Sequence, residues 1–250
     1  MNARSPYQGV WQIFLYNRRF YEWALIMVMG VVTLSTQTTP MFRAVLIAAA
    51  LAAIWWLSAS LAVSHYVYDR SPLYTFEWLG RYLVRTPLDW LNIHAGLDEA
   101  GHTLHALFPA SRGRTLDIFD PAQMTEPSIR EARRMAVEQL PAIPADWGAL
   151  PLADGSVDVT FLLFAAHELR RTESRIQLFR EVRRVLRSGG GLVLVEHLRD
   201  RANFLAFGPG FLHFFPARVW RQEAQMAGLQ VTREDSITPF VKVFLLRRPA

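Results

Sequence analysis

Residues 145–196 constrain the fold most tightly. The run V-D-V-T-F-L-L-F-A-A over 157–166 is almost continuously apolar, as a strand covered on both faces must be. Asp154-Gly155 supplies a turn before it. A helix is expected over 173–187, where Ile176, Phe179, Val182 and Leu186 recur at helical spacing. Gly189–Gly191 stops it, and Leu192–Val195 reads as a second buried strand. Strand, covering helix and strand make a parallel α/β unit. His167 and Glu168 end the first of these strands, and Glu196 and His197 the second. Ligands in open parallel sheets sit at the C-terminal strand ends, so these side chains lie where chemistry is done.

The remainder of 88–250 extends the pattern. Trp90–Gly96 reads as a first strand, and Arg114–Asp120 as a second. Between them runs N-I-H-A-G-L-D-E-A-G, residues 92–101, and a helix carrying His102 and His105 follows. Residues 125–134 resume a helix, with Thr125 as N-cap and Pro127 in the first turn. Residues 198–216 are aromatic and poor in acid, 216–228 form a helix, and 229–248 form a closing antiparallel pair.

The Leu150-Pro151-Leu152 turn, Asp154-Gly155 and Asp158 match the motif L-P-F-x-D-G-x-F-D, and Asp146 precedes it. With the glycine turn and strand that follow, this stretch resembles a small-molecule class I S-adenosylmethionine (SAM) dependent methyltransferase of the methyltransferase-11 type. The runs N-I-H-A-G-x-D-E and D-P-x-x-x-T-E-P-S-I resemble a membrane-linked bacterial subgroup. The resemblance covers residues 88–248. It implies an α/β fold with a Rossmann-like seven-stranded sheet and SAM as cofactor. The family's glycine-rich turn is altered here: Asn92 stands for the acid, His94 for the first glycine and Asp98 for the third, while Gly96 is kept. The resemblance assigns His94 and Asp98 to the methionine amine and carboxylate. It assigns Asp117, or else Asp120, to the ribose hydroxyls, Asp146 to the adenine amino group, and Trp147 to the face of the ring. Tyr68 and Tyr74, in Y-D-R-S-P-L-Y, resemble the family's segment lying over cofactor and substrate. Asn203 and His213 fall in the segment after the fifth strand, which in the family builds the substrate pocket.

Methyl transfer from a sulfonium is an in-line displacement that needs alignment and desolvation. A base is needed only where the acceptor must lose a proton. The candidates in order are His167, Glu168 and His197.

Cysteine is absent, which excludes disulfides, thiolate zinc sites, iron–sulfur clusters and a Cys nucleophile. No metal site is expected: His102 and His105 share a helix face, but no further acid or histidine has ligand spacing. The net charge is +5 with a single lysine, Lys242. The arginines are scattered, so no nucleic acid partner is expected. Arg175, Arg180, Arg183, Arg184 and Arg187 read as a solvated or membrane-facing surface.

Residues 1–22 mix aromatic and basic side chains, as an interfacial segment does. Trp23–Leu34 is apolar, a polar turn ends at Pro40, and Val45–Val63 holds no charge. Nineteen such residues span about 28 Å, close to the hydrocarbon thickness of about 30 Å. A two-helix membrane hairpin is expected, because it keeps Arg18, Arg19 and the Arg-rich remainder together on the cytoplasmic side. The expected division is an interfacial segment and hairpin over 1–63, an aromatic connector over 64–87 and a methyltransferase domain over 88–250. The expected acceptor is a hydrophobic small molecule or lipid at the cytoplasmic membrane: a quinone precursor, polyene, phenolic lipid or phospholipid amine. The alternatives are a non-catalytic membrane scaffold and, more weakly, an RNA methyltransferase. Homo-oligomerisation is left open.

Overall fold

Seven strands form one sheet: β1 Asp89–His94, β2 Arg112–Asp117, β3 Ile143–Pro144, β4 Val157–Leu163, β5 Leu186–His197, β6 Gln230–Thr238 and β7 Val241–Arg247. The computed structural model describes residues 5–83, 85–135 and 141–249. The strand order is β3-β2-β1-β4-β5-β7-β6. β1 to β5 run parallel, and β7 lies antiparallel between β5 and β6. Every residue of β1 is buried, as are all but Asp158 in β4. Leu91 and Ile93 of β1, Leu162 of β4 and Leu194 of β5 are among the core side chains. Each such side chain adds about 1.5–3 kcal/mol by leaving water.

The covering helices are α4 Gly101–Leu107, α5 Pro127–Met135, α6 Thr172–Val185 and α8 Ala217–Met226. α6 buries Ile176, Phe179 and Val182 as its spacing predicts. It stops before the glycines, however, and Leu186 already pairs with Val157 in the sheet. Gly189–Gly191 makes an irregularity inside β5 instead of a turn before it, and the register resumes at Val159 and Gly191. Gly189 has φ +73, and a Cβ on Gly190 would lie 2.8 Å from the carbonyl of Arg187, so side chains are excluded there.

The arginine reading of α6 also needs correction. Arg180 and Arg183 are exposed, but Arg175 is 1 % exposed. Its guanidinium makes a bidentate pair with Glu223 of α8 at 2.8 and 2.6 Å. Arg187 bridges Asp89 and Asp158, each at 2.7 Å. Asp158 also accepts from the Leu88 and Asp89 amides, which locks the starts of β1 and β4 together.

The chain divides into two units, residues 71–199 with 212–250, which hold the sheet, and residues 1–70 with 200–211. The second is helical: α1 Gln8–Tyr16, α2 Arg18–Ser35, α3 Pro40–His65, a π-helical turn Tyr66–Arg70 and α7 Arg201–Phe207. Asp69 accepts from the Gly9 and Val10 amides at 2.5 and 3.0 Å, satisfying two orphan donors at the start of α1. α2 and α3 pack together across the turn 36–39. α7 packs on α3, where the indoles of Trp55 and Trp56 donate to the carbonyls of Leu205 and Phe204.

Among the described residues, one helix is long and apolar enough to cross a membrane, not the two expected. It is the helix containing α3, with mean hydropathy 2.1 and little of its surface buried. α2 begins with Arg18, Arg19 and Glu22. Its uncharged stretch Trp23–Leu34 would rise only about 18 Å, short of the hydrocarbon core.

Candidate active site

The C-terminal ends of β1 and β2 meet in register, with His94 opposite Asp117. His94 is buried, and its Nδ1 accepts from the Gly96 amide at 3.2 Å. That bond places the ring proton on Nε2, which is buried without a partner. Burial holds the His94 pKa below its ordinary value, opposed by the Asp98 and Asp117 carboxylates, so the ring is neutral near pH 7. Asp98 Oδ1 accepts from Asn92 Nδ2 and from the Ala100 and Gly101 amides, while its Oδ2 is buried and unpartnered. One orphaned donor at the end of β1 and one orphaned acceptor in the turn after it therefore lie close in sequence. An amino acid's carboxylate and amine call for such a pair, so the altered turn fits the methionine end of SAM. Gly96 has φ +96, and a Cβ there would meet the Phe119 ring at 3.3 Å. Tyr74 is buried and donates to Glu99 Oε1 at 2.7 Å, tying the segment before β1 to this turn.

The acids of the second strand are already engaged. Asp117 Oδ1 accepts from the Phe119 amide, and Oδ2 pairs with Arg133 of α5. Asp120 caps its own turn through the Ala122 amide and the Gln123 side chain. Asp146 is exposed and accepts from the Gly148 amide at 2.7 Å. Trp147 is partly buried against the core.

A second constellation forms at the ends of β4 and β5. Phe164 takes a left-handed conformation, φ +50, and the chain turns into a short 3₁₀ segment, Ala166–Glu168. His167 Nδ1 then meets Glu196 Oε2 at 2.6 Å. His167 Nε2 lies 3.4 Å from Glu168 Oε1, and the His213 ring stands edge-on to His167 with centroids 5.0 Å apart. Glu168 Oε2 is buried without a partner. Arg170 Nη1 donates to the carbonyls of His167 and His213 at 3.1 and 2.7 Å, which fixes both segments to one another. Burial pulls the His167 pKa down, but Glu196 and Glu168 outweigh it and push it up to about 10. Burial, then the positive His167, lowers His213 to about 3. Glu168 stays ionised, since His167 and its other cationic neighbours overcome the cost of burial.

His167, Glu168 and His213 are thus brought together, and His94, Gly96, Asn92, Asp98 and Asp117 form a second group. His197 is taken up by packing: it is buried, its Nδ1 donates to the Phe240 carbonyl at 2.9 Å, and its ring stacks between Phe164 and Phe214. Tyr68 and Asn203 belong to the helical unit. There the backbone and side-chain amides of Asn203 donate to the Asp200 carboxylate, which caps the start of α7. Sequence reasoning gave no role to Glu196, Arg133 or Arg170. Only Glu196 carried a signal, as an acid at the end of a buried strand.

Residues 106–194 match the family model described as a methyltransferase domain. A crystal structure of a SAM-dependent methyltransferase from Aquifex aeolicus superimposes with TM-score 0.51 and 16 % identity, covering 72 % of this chain and 94 % of that one. The chain has the fold of a class I SAM-dependent methyltransferase. Fold and family match together support a SAM-dependent enzyme, and SAM is the cofactor that accompanies this fold. Two curated relatives are similar in sequence. One is the 23S rRNA (guanine(748)-N(1))-methyltransferase of Streptomyces fradiae, 29 % identical over 136 residues, 52 % of this chain and 43 % of that protein. The other, from Micromonospora griseorubida, is assigned provisionally as a 23S rRNA (guanine-N(1)-)-methyltransferase. It is 31 % identical over 166 residues, 59 % of this chain and 50 % of that protein. The chain spans about half the length of these curated relatives.

Proposed function

We propose that this protein transfers the methyl group of SAM to a hydrophobic acceptor, a lipid or a lipid-soluble small molecule, at the cytoplasmic face of a membrane. The observation that carries the acceptor class is α3, which presents apolar side chains such as Phe42, Val45, Leu51 and Trp55 outward. Lipid is the natural cover for such a surface. α2 accompanies α3 as the second arm of a membrane-embedded or interfacial hairpin. Arg18 and Arg19 at its start favour the cytoplasmic side.

When bound, SAM supplies an electrophilic methyl on a sulfonium that leaves as a neutral thioether. His94 Nε2–H would hold the amino-acid carboxylate and Asp98 Oδ2 the amine. Asp117 would take the ribose hydroxyls with the carboxylate that Arg133 pairs in this structure. Asp146 and Trp147 serve the adenine end. At the other strand ends, His167 carries its proton already and acts as a positioning cation between two carboxylates. Glu168 Oε2 is the acceptor for an O–H or N–H of the substrate, and it orients the nucleophile by that hydrogen bond.

Mass spectrometry of lipid extracts from cells with and without the protein tests this reading. Pairs of compounds differing by one methyl group, lost with Asp98→Ala, are expected. Unchanged extracts, with no SAM binding by the purified protein in detergent and lipid, would refute it. The two rRNA-methyltransferase relatives favour one second reading, methylation of an RNA base. Methylation of 23S rRNA by the purified protein, with no change in lipid extracts, would establish that reading instead.

A further inference from the structure

We propose that His167, Glu168 and His213 form a binding site for one divalent transition-metal ion. One nitrogen from each ring and one Glu168 oxygen lie within 4.8 Å of one another. Among the described residues, no other group of histidines and acids gathers this closely. His167 Nε2 and Glu168 Oε1 are 3.4 Å apart. A tetrahedral ion bonded at about 2.1 Å sets its donors about 3.4 Å apart, so these two need no movement to share one.

Three further observations point to a cation. Glu196 Oε2 holds His167 Nδ1 at 2.6 Å, which aims Nε2 at the cluster, where the ion takes the place of the Nε2 proton. A carboxylate behind a ligating histidine is the usual way a metal site fixes tautomer and ring orientation. Glu168 is 6 % exposed, and its Oε2 has no partner. An anionic oxygen buried in that way calls for a positive charge or a donor. The charge count also closes: once His167 gives up its Nε2 proton to become a ligand, Glu168 and Glu196 carry two negative charges between two neutral imidazoles, and one divalent ion balances them. The positive Arg170 bonds the backbone carbonyls of His167 and His213, and Glu126 stands 3.7 Å from His213 Nδ1.

His213 is partly exposed, so one side of the ion is open to a further ligand. Two histidines, one carboxylate and an open position suit Zn²⁺ or a first-row ion of similar preference. The sequence hides this site because its donors come from two segments more than forty residues apart, outside any ligand-spacing motif. His102 and His105, which do have regular spacing, are both exposed on α4 and take no part. The assignment does not depend on methyl transfer. If the proposed function also holds, the ion replaces the positive charge that His167 carries in the metal-free protein, uses one Glu168 oxygen and leaves the other to the acceptor.

The test is calorimetric titration of the full-length, chelator-stripped protein in detergent with Zn²⁺. Saturation at one ion per chain is expected. Glu168→Gln and His213→Ala should each weaken binding at least tenfold, while His102→Ala with His105→Ala leaves it unchanged. SAM binding on the same preparations separates the two proposals. Zinc without SAM sinks the methyltransferase reading alone, and SAM without zinc sinks the metal site alone. Cobalt-loaded wild type gives a readout that needs no variant, an intense visible spectrum from a low-coordinate ion with imidazole ligands. The absence of saturable Zn²⁺ binding, retention of wild-type affinity in both site variants, or a weak octahedral cobalt spectrum would overturn the proposal.

Discussion

Arg175→Leu should destabilise the protein far more than an ordinary helix substitution. The guanidinium is buried and makes five hydrogen bonds: two to Glu223, one each to the carbonyls of Leu169 and Arg170, and one to Thr172 Oγ1. It also lies over the Phe215 ring, 3.9 Å from the centroid. Leucine fills part of the volume but strands the Glu223 carboxylate in the core. Breaking a buried pair from one side costs about 3–5 kcal/mol, and the two freed carbonyls add about 1 kcal/mol or more each. For a protein of this size the pair term alone corresponds to a fall in Tm of about 6–20 °C. Removing both charges, Arg175→Leu with Glu223→Leu, should recover the carboxylate part and leave the carbonyl part. The single variant should therefore be less stable than the double. The assay is denaturant and thermal unfolding of the full chain in detergent, read by circular dichroism. A single-variant loss below about 1 kcal/mol, or a double variant no better than the single, would refute the reasoning. The same clamp holds the chain just after His167 and Glu168, through the carbonyls of Leu169 and Arg170.

In metal-free protein, the His167–Glu196 pair should make stability depend on pH in one direction. The His167 pKa is raised from 6.5 to about 10, so its contribution is complete below about 6.5 and is lost as pH rises through about 10. The advantage of wild type over Glu196→Gln in unfolding experiments should shrink across that window; an advantage growing with pH would contradict it. Asp98→Ala and His94→Phe should each weaken SAM binding about tenfold or more, the scale of one hydrogen bond to a charged group. Calorimetry showing unchanged affinity would remove both from the cofactor site. Gly96→Val should destabilise by about 1–3 kcal/mol, since a β-branched residue is strained at φ +96. Equal Tm values would dismiss that strain. Ile54→Arg places a charge near the middle of α3, at a cost of about 2.5–3.5 kcal/mol for insertion. The variant should shift from the membrane to the soluble or aggregated fraction, and unchanged membrane retention would show that α3 is not the anchor.

Much of the sheet was legible in advance because burial on both faces leaves an unmistakable signal. The apolar runs that became β1, β4 and β5 cannot be exposed, and the helical spacing of Ile176, Phe179 and Val182 fixes the face α6 buries. The positions of His167 and Glu196 at strand ends followed from the same pattern. What failed was local punctuation. Three glycines read as a helix stop, but β5 starts before them, because pairing with β4 satisfies the backbone that a turn would have left exposed. The arginines of α6 looked alike, and only packing against α8 separates the buried Arg175 from its solvated neighbours. α2 and α3 shared an apolar character in the sequence, and the charges at the start of α2 decide that one span, not two, has the needed length.

By itself, the sequence determined which segments must be covered on both faces, which helix face meets them, and therefore a parallel α/β sheet with its chemistry at one edge. That much is one-dimensional, because burial and periodicity are properties of neighbours along the chain. The tertiary structure alone decided the partners across the chain: Glu196 behind His167, His213 beside Glu168, Arg133 on Asp117, and the orphaned atoms of His94 and Asp98. Those pairings depend on strand register and on where loops return, and no local pattern encodes either.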